Sequence, residues 1–391
     1  MVQLFLWLGG GSPEVEPVIV GKQEEARFFL ISSATTELAT QGYNMPRYKK
    51  GGVRRRFKRP AKGTRHYGSQ SCKLAAANPS MAVDSTEPSQ RQEEACEDHN
   101  GYFLGFNTNS WCQPIRVLSL FDGISSGLLA LDSLGIKVSE YFSAEIDKDA
   151  ISIQRKRFYG RITEIGDVEA CTELLLDQIA PIHLLIGGSP CNQLSKVNPK
   201  RKLFAPGSSG RLFFTYVKIL NYLKKKAIEN NHNFFYLYEN TSNLDRSTLL
   251  TMTKAFNAEP QVVDALSFVP MRRKRLFWHN LGKSDVDLAS MEIPPLEDFL
   301  DPGRIATVNM VCTITTNNAS QKKKDKCPVV NFDGEECTLN VNELERIFHL
   351  GEGFTDNGNL SISRRRKLIG KSWVVPVIAC LLNPLLKVLQ V

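Results

Sequence analysis

From residue 116 onward, apolar runs of strand length alternate with stretches of helical period, and few folds accept that rhythm. Arg116–Phe121, Glu140–Glu145, Arg161–Ile165, His183–Ile186 and Asn233–Tyr238 read as strands. Ser125–Leu134, Asp147–Phe158, Val168–Ile179 and Arg211–Asn230 read as the helices between and after them. This repetition predicts an α/β fold with a doubly wound, mostly parallel sheet. Gln261–Phe268 and Arg275–His279 flank a Pro-Met-Arg-Arg turn and predict an antiparallel pair closing the sheet. Residues 282–345 are less regular and read as a small appended lobe, and a last helix is expected to begin near Val375.

Composition changes near residue 114. Residues 1–113 are rich in polar, Gly, Pro, Ser and Glu positions with little periodicity, and are expected to form a largely disordered segment. Within them Arg47–Arg65 holds ten basic residues and no acid, a pattern that suits nuclear import, nucleic-acid contact or a plain solvated tail. Over all 391 residues the formal net charge is +8, which points weakly to a polyanionic partner. The nine cysteines are dispersed with no CxxC pair, so neither a zinc module nor a redox pair is indicated. The apolar start, Met1–Leu8, has no basic n-region and does not read as a signal peptide. The apolar tail after Trp373 is interrupted by Pro376, Pro384 and Lys387, and reads as a packed helix.

Ligands of doubly wound folds sit at the carboxyl ends of the strands. The first strand ends Phe121-Asp122-Gly123, where Gly123 lets the chain turn with no Cβ beneath a ligand. This is not GxGxxG, and Asp122 would repel a pyrophosphate; an acid there suits a ligand with a cationic amino-acid end. Glu145 ends the second strand, where a carboxylate typically accepts ribose hydroxyls. Asp167, after the third strand, could accept from an adenine amino group. Each acid alone is an ordinary helix cap; together they favour a nucleoside site.

The fourth strand runs Leu184-Leu185-Ile186 into Gly187-Gly188-Ser189-Pro190-Cys191-Asn192, a buried strand breaking into a tight loop that presents one thiol. Such a thiol is a candidate nucleophile, although cysteine is as often a small core hydrophobe. Glu239, at the tip of the adjacent fifth strand, is placed as a raised-pKa acid facing a nucleobase edge. Arg273 and Arg275 could neutralise a thiolate and hydrogen-bond a base carbonyl; for Arg273, surface charge or phosphate contact fits equally well.

Phe121-Asp122-Gly123, Glu145, Gly166-Asp167-Val168, Ser189-Pro190-Cys191-Asn192, Glu239-Asn240, Arg273-Lys274-Arg275, Thr313-Ile314-Thr315-Thr316 and Gly370-Lys371-Ser372-Trp373 occur in this order. On these motifs, residues 114–391 resemble the C5-cytosine DNA methyltransferases, and within them the de novo class represented by animal DNA methyltransferase 3. The resemblance implies a Rossmann-like, class I S-adenosylmethionine-dependent methyltransferase with a target-recognition lobe at about 282–345. It implies double-stranded DNA as substrate, CpG as the favoured site, and a nuclear location. Cys191, Glu239, Arg273 and Arg275 would be catalytic. Phe121, Asp122, Gly123, Ser126, Glu145, Ile146, Asp167, Val168, Asn192, Leu212, Lys371, Ser372 and Trp373 would line the cofactor pocket. Thr313, Thr315, Thr316 and Asn317 would face DNA, with Lys322, Lys323 and Lys324 drawing phosphates. Phe213 and Phe214 match an aromatic face that pairs subunits, and Asp356 and Arg365 a polar one, so a homo- or hetero-oligomer is expected.

The chain departs from the family in Thr241 for Val, Lys371 for Arg, and Cys312 and Asn317 for arginines that face DNA. Three other readings compete. A catalytically weak regulatory paralogue would be expected to lose the thiol, the glutamate or the cofactor motifs, all of which are present. A tRNA cytosine methyltransferase would be expected to carry Pro-Pro-Cys-Gln. A nicotinamide dehydrogenase is disfavoured by Asp122.

Overall fold

The computed structural model describes residues 114–286, 291–322 and 326–389. The expected basic segment 1–113 lies outside these residues, as do Lys323 and Lys324. Seven strands form one sheet: β1 (Ile115–Leu120), β2 (Val138–Ala144), β3 (Ile162–Glu164), β4 (Leu184–Gly187), β5 (Phe235–Thr241), β6 (Gln261–Asp264) and β7 (Lys274–His279). Their spatial order is β3-β2-β1-β4-β5-β7-β6. The first five run parallel, and β7 pairs antiparallel with both β5 and β6. The chain reverses its direction of winding between β1 and β4, so a crevice opens where these two strands end.

Period-two alternation feeds a core on each face of the sheet. Val117, Leu184, Ile186 and Leu237 point to one face, where α1 (Ser126–Ser133) and the C-terminal α8 (Val375–Leu382) pack. Leu118, Leu185, Tyr236 and Tyr238 point to the other, under α4 (Leu212–Glu229) and α5 (Arg246–Phe256). Every residue of α8 is buried, and no helix among the described residues is long and apolar enough to cross a membrane.

Two predicted elements differ in detail and one helix is additional; Gln261–Phe268 is a strand only over Gln261–Asp264, followed by a 3-10 turn at Ala265–Ser267. Val168–Ile179 is a 3-10 turn at Val168–Ala170 followed by α3 (Glu173–Gln178), because the Thr172 side chain accepts the Leu175 amide at 3.3 Å and caps a new helix. Helix α5 was not expected. Its core stripe is sparse, and its start is set by Asp245, whose carboxylate accepts the Thr248 amide at 2.8 Å. The remaining elements are α2 (Lys148–Arg157), a small antiparallel sheet of β8 (Ile305–Ala306), β9 (Val329–Val330) and β10 (Glu336–Cys337), then α6 (Val341–Ile347), α7 (Ile362–Lys371) and α9 (Leu385–Val388).

The two expected association faces need correction. Phe213 is fully buried, its ring edge-on to Tyr238 and Phe256 at 5.7 and 5.6 Å, so only Phe214, 42% exposed beside Phe204, is presented to solvent. Arg365 is also interior. It donates to Thr355 Oγ1 at 2.9 Å and pairs with buried Glu345 at 3.0 Å, while Asp356 stays at the surface. We therefore expect Phe213→Ala to lower stability by about 3–5 kcal/mol and Phe214→Ala by less than about 1 kcal/mol, read from urea denaturation.

Candidate active site

At the tip of β1 the backbone turns sharply, with Phe121, Gly123 and Ser125 at φ of 58°, 62° and 59°. The Asp122 carboxylate holds this turn from within. It accepts Ser119 Oγ at 2.6 Å, Ser125 Oγ at 2.5 Å, Tyr141 Oη at 2.7 Å and Gln154 Nε2 at 3.0 Å. Burial raises its pKa, against the pull of those hydroxyls. The carboxylate is thus committed to shaping the loop, and the expectation that it faces a cationic ligand is replaced by this packing role.

The other two strand-tip acids remain near the surface. Glu145 Oε2 accepts the Gly123 amide at 2.7 Å, and its Oε1 accepts Ile146 and Asp147 at 2.8 Å each. A carboxylate has about four acceptor sites, so capacity remains for a hydroxyl. Ile146 beside it is 69% exposed. Asp167 caps the 3-10 turn through the Glu169 amide at 2.9 Å and is exposed, with Val168 buried behind it. Ser126 Oγ accepts the Trp373 amide at 3.2 Å, which fastens the C-terminal segment to the turn after β1. Ser372 is buried, its Oγ donating to Ile369 O at 2.8 Å, while Asn192 is exposed and Leu212 is half-buried at the start of α4.

Across the crevice, β4 and β5 set the thiol against the glutamate. The loop after β4 is fastened to β5 by Ser189 Oγ and Tyr238 Oη at 2.6 Å, with Asn240 Nδ2 donating to Tyr238 Oη at 3.0 Å and to Ser189 O at 3.3 Å. This buried network was not foreseen; a polar Tyr-x-Asn at the end of an apolar strand is its only sequence signal. Gly188 is required by contact, since a Cβ there would lie 2.8 Å from the Glu239 carbonyl and 3.0 Å from its Oε2. Both Glu239 oxygens are occupied: Oε1 pairs with Arg275 Nε at 3.0 Å, and Oε2 accepts Trp373 Nε1 at 3.2 Å. Cys191 opens the next 3-10 turn, half-buried. Burial and then Glu239 push its thiol pKa up, while Arg275 and Arg273 pull it down without prevailing.

Arg273 takes a different place from the one expected of a catalytic group. It is 6% exposed and donates to Ile314 O at 2.7 Å, Gly370 O at 3.1 Å and Ser372 O at 2.9 Å, with its guanidinium 5.2 Å from the Phe348 ring centroid. Burial and then Arg275 lower its pKa to about 9, which leaves it cationic at neutral pH. It is a clamp, not a group free to meet a base. The segment it grips packs hard on α7: a Cβ on Gly370 would lie 2.6 Å from the Thr315 carbonyl. Thr313 Oγ1 donates to Arg272 O at 2.7 Å, and Thr315 Oγ1 accepts the Asn317 amide at 3.1 Å. Thr315, Thr316, Asn317 and Lys322 are exposed. Lys371 Nζ reaches Asp147 at 3.2 Å, beside Ile146.

Residues 115–295 match the family of C-5 cytosine-specific DNA methylases. The chain is 37% identical over 122 residues to the DNA (cytosine-5)-methyltransferase DRM1 of Arabidopsis thaliana, a match covering 29% of this chain and 20% of that protein. It is 32% identical over 174 residues to the orphan methyltransferase M.SPRI of Bacillus phage SPR, covering 42% and 37% of the two chains. The matches therefore span well under half of these relatives. Among solved structures, an Entamoeba histolytica methyltransferase, EhMeth, superposes with a TM-score of 0.56, and the Schizosaccharomyces pombe (S. pombe) Dnmt2 methyltransferase with 0.52. Each is 15% identical and covers 71% of this chain and 100% of its own, which shows a shared fold.

The electrostatics of Cys191 give a signed expectation. Iodoacetamide labelling of Cys191 should rise with pH to a midpoint above the ordinary thiol value. Glu239→Gln should move that midpoint down and Arg275→Met should move it up, because one removes a neighbouring anion and the other a cation. Mass spectrometry of the labelled peptide reads both shifts.

Proposed function

We propose that the chain, which carries a C-5 cytosine-specific DNA methylase domain over residues 115–295, transfers the methyl group of S-adenosylmethionine to C5 of cytosine in double-stranded DNA. Within that activity the reading extends to de novo methylation at CpG and to a nuclear protein, in keeping with the basic run Arg47–Arg65 and the order of motifs. The observation that carries it is the convergence of Cys191, Glu239 and Arg275 at one mouth of the sheet, beside the half-buried Glu145 and the exposed Asp167 at neighbouring strand tips.

The strand-tip residues fit a nucleoside cofactor. Glu145 retains acceptor capacity for ribose hydroxyls, Ile146 offers an apolar surface to an adenine, and Asp167 can accept from its amino group. Bound there, S-adenosylmethionine supplies an electrophilic methyl group. A cytosine inside a duplex is unreachable by Cys191, so the base is flipped into the crevice. Cys191, once deprotonated, forms a bond from Sγ to C6, which makes C5 a nucleophile. Glu239 accepts from the exocyclic amino group and delivers a proton to N3 as the ring gains charge, while Arg275 holds the base carbonyl. After methyl transfer, water takes the C5 proton, the C6–Sγ bond breaks to release the Cys191 thiolate as the C5–C6 double bond re-forms, and N3 returns its proton to Glu239.

The exposed Thr315, Thr316, Asn317 and Lys322 are the residues offered to DNA, with Lys322 acting on phosphates and not on bases. For self-association, Phe214 with Phe204 beside it is the available aromatic surface.

A duplex carrying 5-fluorocytosine at CpG blocks the final elimination and traps the adduct. With S-adenosylmethionine present, wild-type protein should form a complex that survives denaturing electrophoresis, and Cys191→Ala should form none while binding the cofactor normally by calorimetry. A Cys191→Ala protein that still cross-links would overturn the assignment of the nucleophile. Asp167→Ala should weaken cofactor binding about three- to tenfold, the worth of one hydrogen bond; unchanged affinity removes it from the site.

A further inference from the structure

The two charges that hold α7 against the cofactor turn are not explained by the chemistry above. Arg364 lies in the first turn of α7 and forks its guanidinium onto Asp147 and Asp149, at the start of α2. Lys371, about two turns further along the same helix, closes on Asp147 Oδ2 at 3.2 Å. Asp147 is 19% exposed at its side chain and Arg364 29%, so water screens this cluster only in part. Burial opposes ionisation of Asp147, yet the Arg364 and Lys371 bonds outweigh it and hold its carboxyl below the usual range.

Asp147 has a second role through its backbone. Its amide is one of the donors to Glu145 Oε1, and Glu145 Oε2 in turn holds the Gly123 amide of the β1 turn. Arg364, Asp147, Glu145 and Gly123 therefore form one line of contacts from α7 into both cofactor turns. At its other end α7 presents the Gly370 carbonyl to Arg273 and packs against Thr315. One short helix thus joins the cofactor turn to the segment offered to DNA.

We propose that Arg364 is a positioning residue: its fork on Asp147 and Asp149 fixes the Glu145 carboxylate for a vicinal diol and couples cofactor binding to DNA binding through α7. This rests on the assignment of Glu145 to the cofactor ribose made above. A guanidinium is suited to the task because its planar fork meets two carboxylates at once, which an ammonium does not.

The test is S-adenosylmethionine binding by calorimetry, with and without a CpG duplex, for the wild type and for Arg364→Gln, Arg364→Lys and Asp149→Asn. Arg364→Gln should weaken cofactor affinity about five- to tenfold and raise KM for S-adenosylmethionine in proportion, with kcat within about twofold. Arg364→Lys should recover only part of the loss, and Asp149→Asn should add little to Arg364→Gln in the double variant. The gain in DNA affinity that the cofactor brings to the wild type should shrink in Arg364→Gln, a readout that simple loss of stability does not move. Cofactor affinity equal in wild type and Arg364→Gln, with both proteins folded and binding, overturns the positioning role. A wild type that binds no S-adenosylmethionine overturns the functional reading itself, a different and distinguishable failure.

Discussion

Arg273 is the constraint on which the site depends. A buried guanidinium paired with no carboxylate among the described residues is costly unless its donors are satisfied, and here three main-chain carbonyls from two distant segments satisfy them. Removing it would leave those carbonyls buried without partners, at about 1–3 kcal/mol each. Its own amide is held in turn by Asp264 Oδ1 at 2.7 Å, which fixes the start of β7. Two residues on, inside β7, Arg275 meets Glu239. The pair divides the labour: one arginine joins the chain segments, and the other holds Glu239.

The charges at the crevice are balanced against each other. Glu239 is held by Arg275 and Trp373 and lies near enough to Cys191 to oppose its ionisation. Burial and Glu239 therefore both oppose ionisation of the thiol. Trp373 links this acid to the turn after β1, since its amide rests on Ser126 while its indole rests on Glu239. The β1 turn, Glu239 and the C-terminal segment are thus one connected body.

The sheet was legible because buried parallel strands are continuous apolar runs, and the sequence states them directly from Val117 to Tyr238. Helix α5 was not, because Thr248, Met252 and Phe256 make too thin a stripe to stand out from a Ser/Thr-rich segment. At the site, the sequence located strand-tip residues but not where their side chains turn. Asp122 and Asp167 look alike as acids after a strand; Ser119, Ser125 and Tyr141 draw the first inward, and nothing comparable draws the second. Arg273 and Arg275 look alike for the same reason. Their difference is made by Ile314, Gly370 and Ser372, which local pattern does not bring near. Phe213 and Arg365 follow the same rule: a motif gives the position, and packing decides whether that position is surface.

The most direct measurement is transfer of a tritiated methyl group from S-adenosylmethionine to an unmethylated CpG duplex, with tRNA as the competing acceptor. The account predicts label on the DNA, in C5-methylcytosine after digestion, and none on the tRNA. Label on tRNA alone, or none on either acid from protein that binds the cofactor, would contradict it.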